Sequence, residues 1–173
     1  MDTTTEAEAY AYMEATRWPT GPVCPHCGYA RAYFLAPRSA LGRATRRGKV
    51  SERRVWKCAQ CRNQFSVLTG TALHGSKIPM RVWLSVIGRV CAAAEGVSAR
   101  DIEREYGLTA KTARNMLRRF RDDPVLDFDE PFRLDGDPDD VLRALLAAPG
   151  AVEPEEQPPA TGDEALQRLL DHA

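Results

Sequence analysis

Two Cys-x-x-Cys pairs restrict what this sequence can fold into more than any of its other features. The first pair is Cys24 and Cys27, the second is Cys58 and Cys61, and a fifth cysteine, Cys91, stands alone. Each pair presents two sulfur ligands from one tight turn, and four thiolates close a tetrahedron around Zn²⁺ with no open position for water. The pattern therefore predicts one structural zinc ion bound by these four cysteines and no catalytic role for the metal.

The spacing between the pairs favours a metal site over other uses of cysteine. Thirty residues separate the pairs, more than the usual ~15–20 between ribbon pairs, and the excess falls in a basic loop at 37–54. A redox dithiol remains the alternative. His26 is expected to point outward, His74 and His172 have no ligand partners nearby in sequence, and Cys91 is expected to be a small core residue.

Turn-forming residues and changes in hydrophobic periodicity divide the chain into four segments. Aromatic and β-branched residues flank the cysteine pairs, helical periodicity follows them, and the C-terminal part is acidic and rich in proline. We predict an α+β protein of small domains, in which a β zinc ribbon precedes an all-α helix-turn-helix domain and a largely disordered acidic tail. The predicted bounds are 1–16 for a helical lead-in, 17–76 for the ribbon, 77–121 for the helix-turn-helix and 122–173 for the tail.

Local signals place three helices in the predicted helix-turn-helix domain. Pro79 suits the first turn of a helix, which we expect to run to Glu95 and to end at Gly96. The run Ser98-Ala99-Arg100-Asp101 matches a capping box that opens a second helix. Gly107-Leu108 forms the turn to a third helix, which Thr109 is placed to cap.

The third helix has a basic and polar face opposite its apolar face. A helix of this kind fits the major groove of DNA, where arginine pairs with guanine and asparagine with adenine. The ribbon loop provides a second basic set that would contact phosphates or the minor groove. A solvated helix and a solvated loop are the alternatives. The predicted DNA-binding residues are Lys111, Thr112, Arg114, Asn115, Arg118 and Arg119 on the helix, and Arg43, Arg46, Arg47 and Lys49 in the loop.

The zero net charge of the chain conceals a division between a basic body and an acidic tail. Residues 1–121 contain 21 Lys and Arg against 9 Asp and Glu, whereas residues 122–173 contain 3 against 15. This asymmetry favours a polyanionic partner for the body, such as double-stranded DNA. The acidic tail could compete with that partner for the basic surface. No stretch approaches the ~18 apolar residues of a membrane helix, and residues 1–15 lack the regions of a signal peptide.

The tail contains one internal repeat. Residues 139–146 and 163–170 share the pattern Asp-acid-x-Leu-x-x-Leu-Leu, which suits two short helices with acids at the N-terminus and leucines on one face. Two marginal surface helices are the favoured interpretation. Docking on a partner, or folding back onto the basic body, is the alternative.

A series of short motifs occurs in a fixed order along residues 18–98: Trp18-Pro19-x-Gly21, Cys24-Pro25-His26-Cys27-Gly28, Trp56-Lys57-Cys58, Cys61-Arg62-x-Gln64-Phe65-Ser66-Val67, Thr69-Gly70-Thr71, Ser76-Lys77-Ile78-Pro79 and Gly96-Val97-Ser98. The order of these motifs resembles the N-terminal region of a bacterial insertion-sequence transposase family. That resemblance implies a zinc ribbon and a helix-turn-helix that recognise the ends of the element, followed by a nuclease domain with three catalytic acids. It also implies a bacterial cytoplasmic protein at the nucleoid.

The sequence departs from that family after the third predicted helix. Only 52 residues follow Arg121, and strand transfer needs three acidic residues that hold two metal ions. Asp129 lies in a segment with a faint likeness to the one that carries the first of these acids. We therefore expect a zinc-dependent, sequence-specific DNA-binding protein without catalysis and without a small-molecule substrate. The DNA-binding subunit of a split transposase and a protein-interaction adaptor are the alternatives, and a homodimer or a separately encoded transposase is a candidate partner.

Overall fold

The computed structural model describes residues 5–37, 43–44, 50–121 and 131–147. In that part of the chain, the elements combine a three-stranded sheet with a set of helices, so the α+β class is confirmed. None of these helices has the length and apolar character needed to cross a membrane. In chain order the elements are α1 (Glu6–Arg17), β1 (Ala32–Phe34), β2 (Arg43–Ala44), β3 (Val50–Ser51), β4 (Trp56–Cys58), β5 (Gln64–Phe65), α2 (Met80–Ala92), α3 (Ala99–Tyr106), α4 (Ala110–Arg121) and α5 (Pro138–Leu146).

The ribbon is an antiparallel sheet with strand order β1-β4-β5. Ala32 lies opposite Cys58, and Phe34 lies opposite Trp56, which in turn pairs with Phe65. Beyond β1 the ladder continues through one backbone hydrogen bond of 2.9 Å from Leu35 to Val55. The long connection between β1 and β4 carries the short antiparallel pair of β2 and β3. Part of the extra length between the cysteine pairs thus forms a second antiparallel strand pair.

Helix α1 is part of the ribbon's packing and not only a lead-in to it. Thr5 and Glu8 form its capping box, and Ala9 and Met13 are buried in the core. The carboxylate of Glu14 accepts a hydrogen bond of 2.9 Å from the indole N–H of Trp56 and pairs with Arg54 at 2.9 Å. A buried carboxylate is tolerated only when it is paired in this way. Helix α1 is therefore anchored to β4.

Helix α2 has no side-chain cap from its own neighbours, because Pro79 occupies the N-cap position. The carboxylate of Glu6 supplies the missing acceptors, at 2.7 Å from the backbone N of Met80 and 3.2 Å from that of Arg81. At its other end, α2 stops at Ala92, so the expected run to Glu95 is wrong. The chain adopts extended geometry at Ala93, before the positive φ of Gly96.

The turn between α3 and α4 has the chemistry that the sequence predicts. The Ser98–Asp101 capping box is present, and Gly107 adopts φ 62° as the left-handed C-cap of α3. The hydroxyl of Thr109 accepts from the backbone N–H of Thr112 at 3.3 Å. Helices α3 and α4 pack against each other, and Ile102, Ala113 and Leu117 are among their fully buried side chains.

The first of the two predicted tail helices is present as α5. Its favoured interpretation as a marginal surface helix is wrong, because its leucines are buried and the helix folds back onto the body. Val97 and Phe132 form an isolated antiparallel bridge with hydrogen bonds of 2.7 and 2.9 Å. Helix α5 packs on α1 and α2 and buries Leu142, Leu145 and Leu146. The three leucines share one helical face, as the sequence pattern predicts, and this face packs against the other helices. Residues 148–173, including the second predicted tail helix, lie outside the described residues.

Gly96 is a point where the backbone of the tail lies close to the helical region. Its φ is +82°, and a Cβ at this position would lie 3.0 Å from Cβ of Pro131 and 3.1 Å from the backbone N of Phe132. Only glycine combines this backbone conformation with so close an approach. The buried side chains of the ribbon, of α1 to α4 and of the segment from Phe132 to Leu146 form one continuous cluster.

Candidate metal centre

Two turns of the same design present the four cysteines. In the first, the N–H of Cys24 donates to Tyr29 at 3.0 Å, and the N–H of Gly28 donates to the carbonyl of Cys24 at 2.9 Å. The second turn follows β4. In each turn the residue after the second cysteine has a positive φ, 71° at Gly28 and 63° at Arg62. This conformation, rare for a residue such as arginine, bends each backbone around its two sulfurs.

The four sulfurs meet at distances that suit a tetrahedral ion. The Sγ atoms of Cys24 and Cys61 are 3.7 Å apart, and those of Cys27 and Cys58 are 3.6 Å apart. All four lie within 4.8 Å of one another. Four sulfurs about 2.3 Å from a central Zn²⁺ would lie roughly 3.8 Å apart. The predicted ligand set forms a zinc-ribbon site for one structural Zn²⁺, and both turns are needed to complete it.

The surroundings of the thiols differ across the site. Burial raises the pKa of Cys24 to about 12. At Cys58, desolvation also acts to raise the pKa, but the backbone N–H groups of Cys61 and Gln60 and the neighbouring thiols outweigh it and lower the value to about 7. Zinc binds thiolates, so a bound Zn²⁺ would supply the positive charge that favours the deprotonated form of its cysteine ligands.

The other candidate ligands lie elsewhere. His26 and His74 are exposed, and Nδ1 of His74 is 3.4 Å from the backbone N of Gly70. Cys91 is half-buried and packs against the core. Within the described residues, the four ribbon cysteines alone form a group of three or more metal-ligand side chains. His172 lies outside the described residues.

Two charged residues of α1 that hold the ribbon, the buried Glu14 and the half-buried Arg17, were not identified from the sequence. Arg17 donates hydrogen bonds to the carbonyls of Val67 at 2.6 Å and Thr69 at 3.0 Å, and burial lowers its pKa to about 10. Glu14 joins α1 to β4, as described above. The positions of Glu14 and Arg17 were the signal available in the sequence. Both residues continue, at helical spacing, the apolar stripe of α1 that includes Tyr10 and Met13.

The structure places the polar face of α4 beside the segment that precedes α2. Lys111 and Asn115 are exposed, while Thr112, Arg114 and Arg118 are half-buried. Together with residues 75–79, part of this face borders a cleft of about 440 Å³. Six predicted DNA-binding residues are therefore brought together on one helix. In the loop, Arg43 belongs to β2, whereas Arg46, Arg47 and Lys49 lie outside the described residues.

The guanidinium of Arg119, on the same face, is held by contacts with the rest of the protein. It donates to the carbonyls of Ala72 at 2.7 Å and His74 at 3.2 Å. It also lies 5.9 Å from the ring centroid of Trp83. These contacts attach the C-terminal half of α4 to the turn that follows the ribbon.

One family comparison bears on the identity of the ribbon. The sequence model of the transposase zinc-ribbon domain matches residues 4–64. The match includes α1 and both cysteine pairs, and it ends at the first residue of β5. No curated protein and no solved structure matches the chain. The N-terminal part is thus similar to a transposase zinc ribbon, and the match does not extend to α2 to α5.

Proposed function

We propose that this protein binds double-stranded DNA in a sequence-specific and zinc-dependent manner, at transposon ends or related sites, and does so without catalysis by the described residues. The observation that carries the proposal is the exposed polar face of α4, which shares one core with a zinc ribbon similar to those of transposases. In this proposal the ribbon and the helix-turn-helix are two DNA-contacting units, divided near residue 76.

Helix α4 is the proposed recognition helix. Ala113, Met116 and Leu117 are buried, so the opposite face of the helix is directed away from the core. Lys111 and Asn115 are one helical turn apart on that face and both are exposed. A helix held in this way enters the major groove, where asparagine binds adenine in a bidentate manner and lysine binds guanine or phosphate.

Arg119 has a different role in this proposal. Because its guanidinium already donates to two backbone carbonyls, it sets the position of α4 relative to the ribbon. The hairpin that carries β2 and β3 extends from the ribbon and begins with Arg43. The basic residues of this loop would neutralise phosphates, which adds affinity without reading sequence.

The proposed absence of cleavage rests on the residues present at the candidate site. Strand transfer requires carboxylates that hold two metal ions, and no carboxylate cluster occurs in the described part of the chain. Asp129, which the resemblance would make a remnant of the first catalytic acid, lies outside the described residues.

The test is the selection of bound sequences from a random DNA pool, followed by affinity measurements on the selected site at stated salt. We expect Asn115→Ala to weaken binding to that site by about 1–3 kcal/mol and to broaden the preference at one base position. Lys111→Ala should weaken binding. Arg143→Gln is the matched charge control, because it removes an exposed positive charge on α5.

Two results would contradict the proposal. The first is a chain that selects no sequence from the pool in the presence of zinc. The second is an Asn115→Ala variant that retains the full base-sequence preference of the parent. That result would exclude α4 as the recognition helix but would not exclude DNA binding by the ribbon.

A further inference from the structure

Helix α5 fills a groove between α1 and α2 with a small set of contacts. Leu142, Leu145 and Leu146 are buried in the groove. At the start of α5, the hydroxyl of Tyr12 on α1 donates to the carboxylate of Asp139. At its end, the carbonyl of Leu145 accepts a hydrogen bond of 3.1 Å from the backbone N–H of Ala72.

The side chains that make these contacts recur 24 positions later in the sequence. In residues 163–170, Asp163 corresponds to Asp139. The three buried leucines of α5 correspond to Leu166, Leu169 and Leu170. The two segments therefore agree at each buried position of α5 and at the position whose side chain is hydrogen-bonded to α1.

The positions at which the two segments differ are those where a difference costs little. Arg143 and Ala144 are exposed in α5, and the second segment has Gln167 and Arg168 there. The half-buried Val141 corresponds to the smaller Ala165. Thr161 corresponds to Asp137, whose side chain caps α5, and threonine is also a favourable N-cap. The groove can therefore accept the second segment without a steric clash.

We propose that residues 163–170 are a second ligand of the groove between α1 and α2, and that they dock there in place of α5 of the same chain. One groove holds one helix, so the two segments exclude each other. The two segments belong to one chain with 16 residues, 147–162, between them, and two sites joined so closely have an effective concentration on the order of millimolar. That value exceeds micromolar protein concentrations, so exchange within one chain is favoured over exchange between chains. The core then stays covered when α5 is released.

Hydrogen exchange measured by mass spectrometry on the full-length, zinc-loaded chain tests this proposal. Leu142→Ala with Leu145→Ala should weaken the docking of α5 by about 100-fold or more, because each substitution leaves a cavity in the groove. We expect amide protection to fall at 138–146 and to rise at 163–170. Adding Leu166→Ala and Leu169→Ala should abolish the new protection and lower the melting temperature further.

The controls separate this exchange from general loosening. Leu166→Ala with Leu169→Ala alone should leave the melting temperature unchanged, because α5 occupies the groove. Arg143→Gln, which introduces the residue of the second segment at an exposed position, should leave both protection patterns unchanged. If the double variant of α5 does not fold, Leu145→Ala alone provides a milder form of the same test.

Two outcomes would overturn the proposal. Protection at 163–170 that does not change when α5 is weakened would show that the second segment does not enter the groove. Protection that rises with protein concentration over a tenfold range would assign the exchange to a second copy of the chain.

Discussion

The zinc ribbon and the helical region of this molecule are ordered by different means. The strands of the ribbon are two or three residues long, and four sulfurs converge where an apolar core would otherwise be needed. Helices α2, α3 and α4 instead bury large side chains such as Trp83, Ile87 and Met116. A small sheet cannot bury enough surface to be stable without such a bond. The comparison indicates that metal loss acts on the ribbon first, and that substitutions in the core act on the helices.

Removing zinc should have the largest effect and should separate the two regions most clearly. A structural zinc site of this kind contributes on the order of 10 kcal/mol of folding free energy at neutral pH. We expect chelation, or Cys58→Ser, to unfold the ribbon and to weaken DNA binding, while helical circular dichroism is largely retained. Cys91→Ser is the matched control and should bind one zinc ion as the parent does. Unchanged chemical shifts of the ribbon after chelation would contradict the prediction.

Gly96→Ala should have the next largest effect, and it acts on the helical region. The new Cβ would meet Pro131 and the backbone of Phe132 at 3.0 and 3.1 Å, and the positive φ adds a cost of about 1 kcal/mol. We expect a loss of about 2–4 kcal/mol in urea unfolding. Gly75→Ala is the control, because Gly75 has φ +71° and no atom within 4 Å of an added Cβ. Equal losses in the two variants would show that the tail does not press on Gly96.

Glu6→Ala tests the connection between the two regions. It removes the carboxylate that accepts from the first backbone N–H groups of α2, and losing a helix cap costs about 0.5–2 kcal/mol. Glu6→Gln keeps one oxygen acceptor and should lose less. Thermal unfolding of the zinc-loaded protein measures both. Two variants as stable as the parent would show that α2 does not depend on α1 for its cap.

The pH dependence at Asp101 should be the smallest effect, confined to the helical region. Hydrogen bonds from the side chain and backbone of Ser98 lower the pKa of Asp101 from its ordinary value of 3.8. The folded chain therefore binds this proton more weakly than the unfolded chain does. The resulting stabilisation is present above about pH 4 and is lost as the pH falls through the lower folded pKa. Asp101→Asn should remove this part of the pH dependence, which lies below about pH 5, at a cost below about 1 kcal/mol because the group is over a third exposed. If the unfolding free energies of the parent and of Asp101→Asn, measured in urea, changed with pH in parallel, the prediction would be contradicted.

The two cysteine turns and the caps of α3 could be predicted because their signals are short in range. Each Cys-x-x-Cys spacing, the capping box at Ser98 and the turn glycine at Gly107 involve residues within a few positions of one another, so the backbone geometry of one turn is enough to define them. The length of α2 was less predictable, because the chain leaves the helix at Ala93 before Gly96. The assignment of the α4 face to DNA stays a prediction, since exposure alone does not identify a ligand.

The sequence by itself determined which four sulfurs could bind one ion, where the helices begin, and which face of α4 is polar. Only the tertiary structure decided that Glu6 caps a helix whose first residues lie more than seventy positions away, that Arg119 binds backbone carbonyls, and that the leucines of α5 enter the core. These last features depend on surfaces that meet only after the chain has folded. A carboxylate, a guanidinium or a leucine stripe has the same local pattern whether it faces solvent, a nucleic acid or another helix.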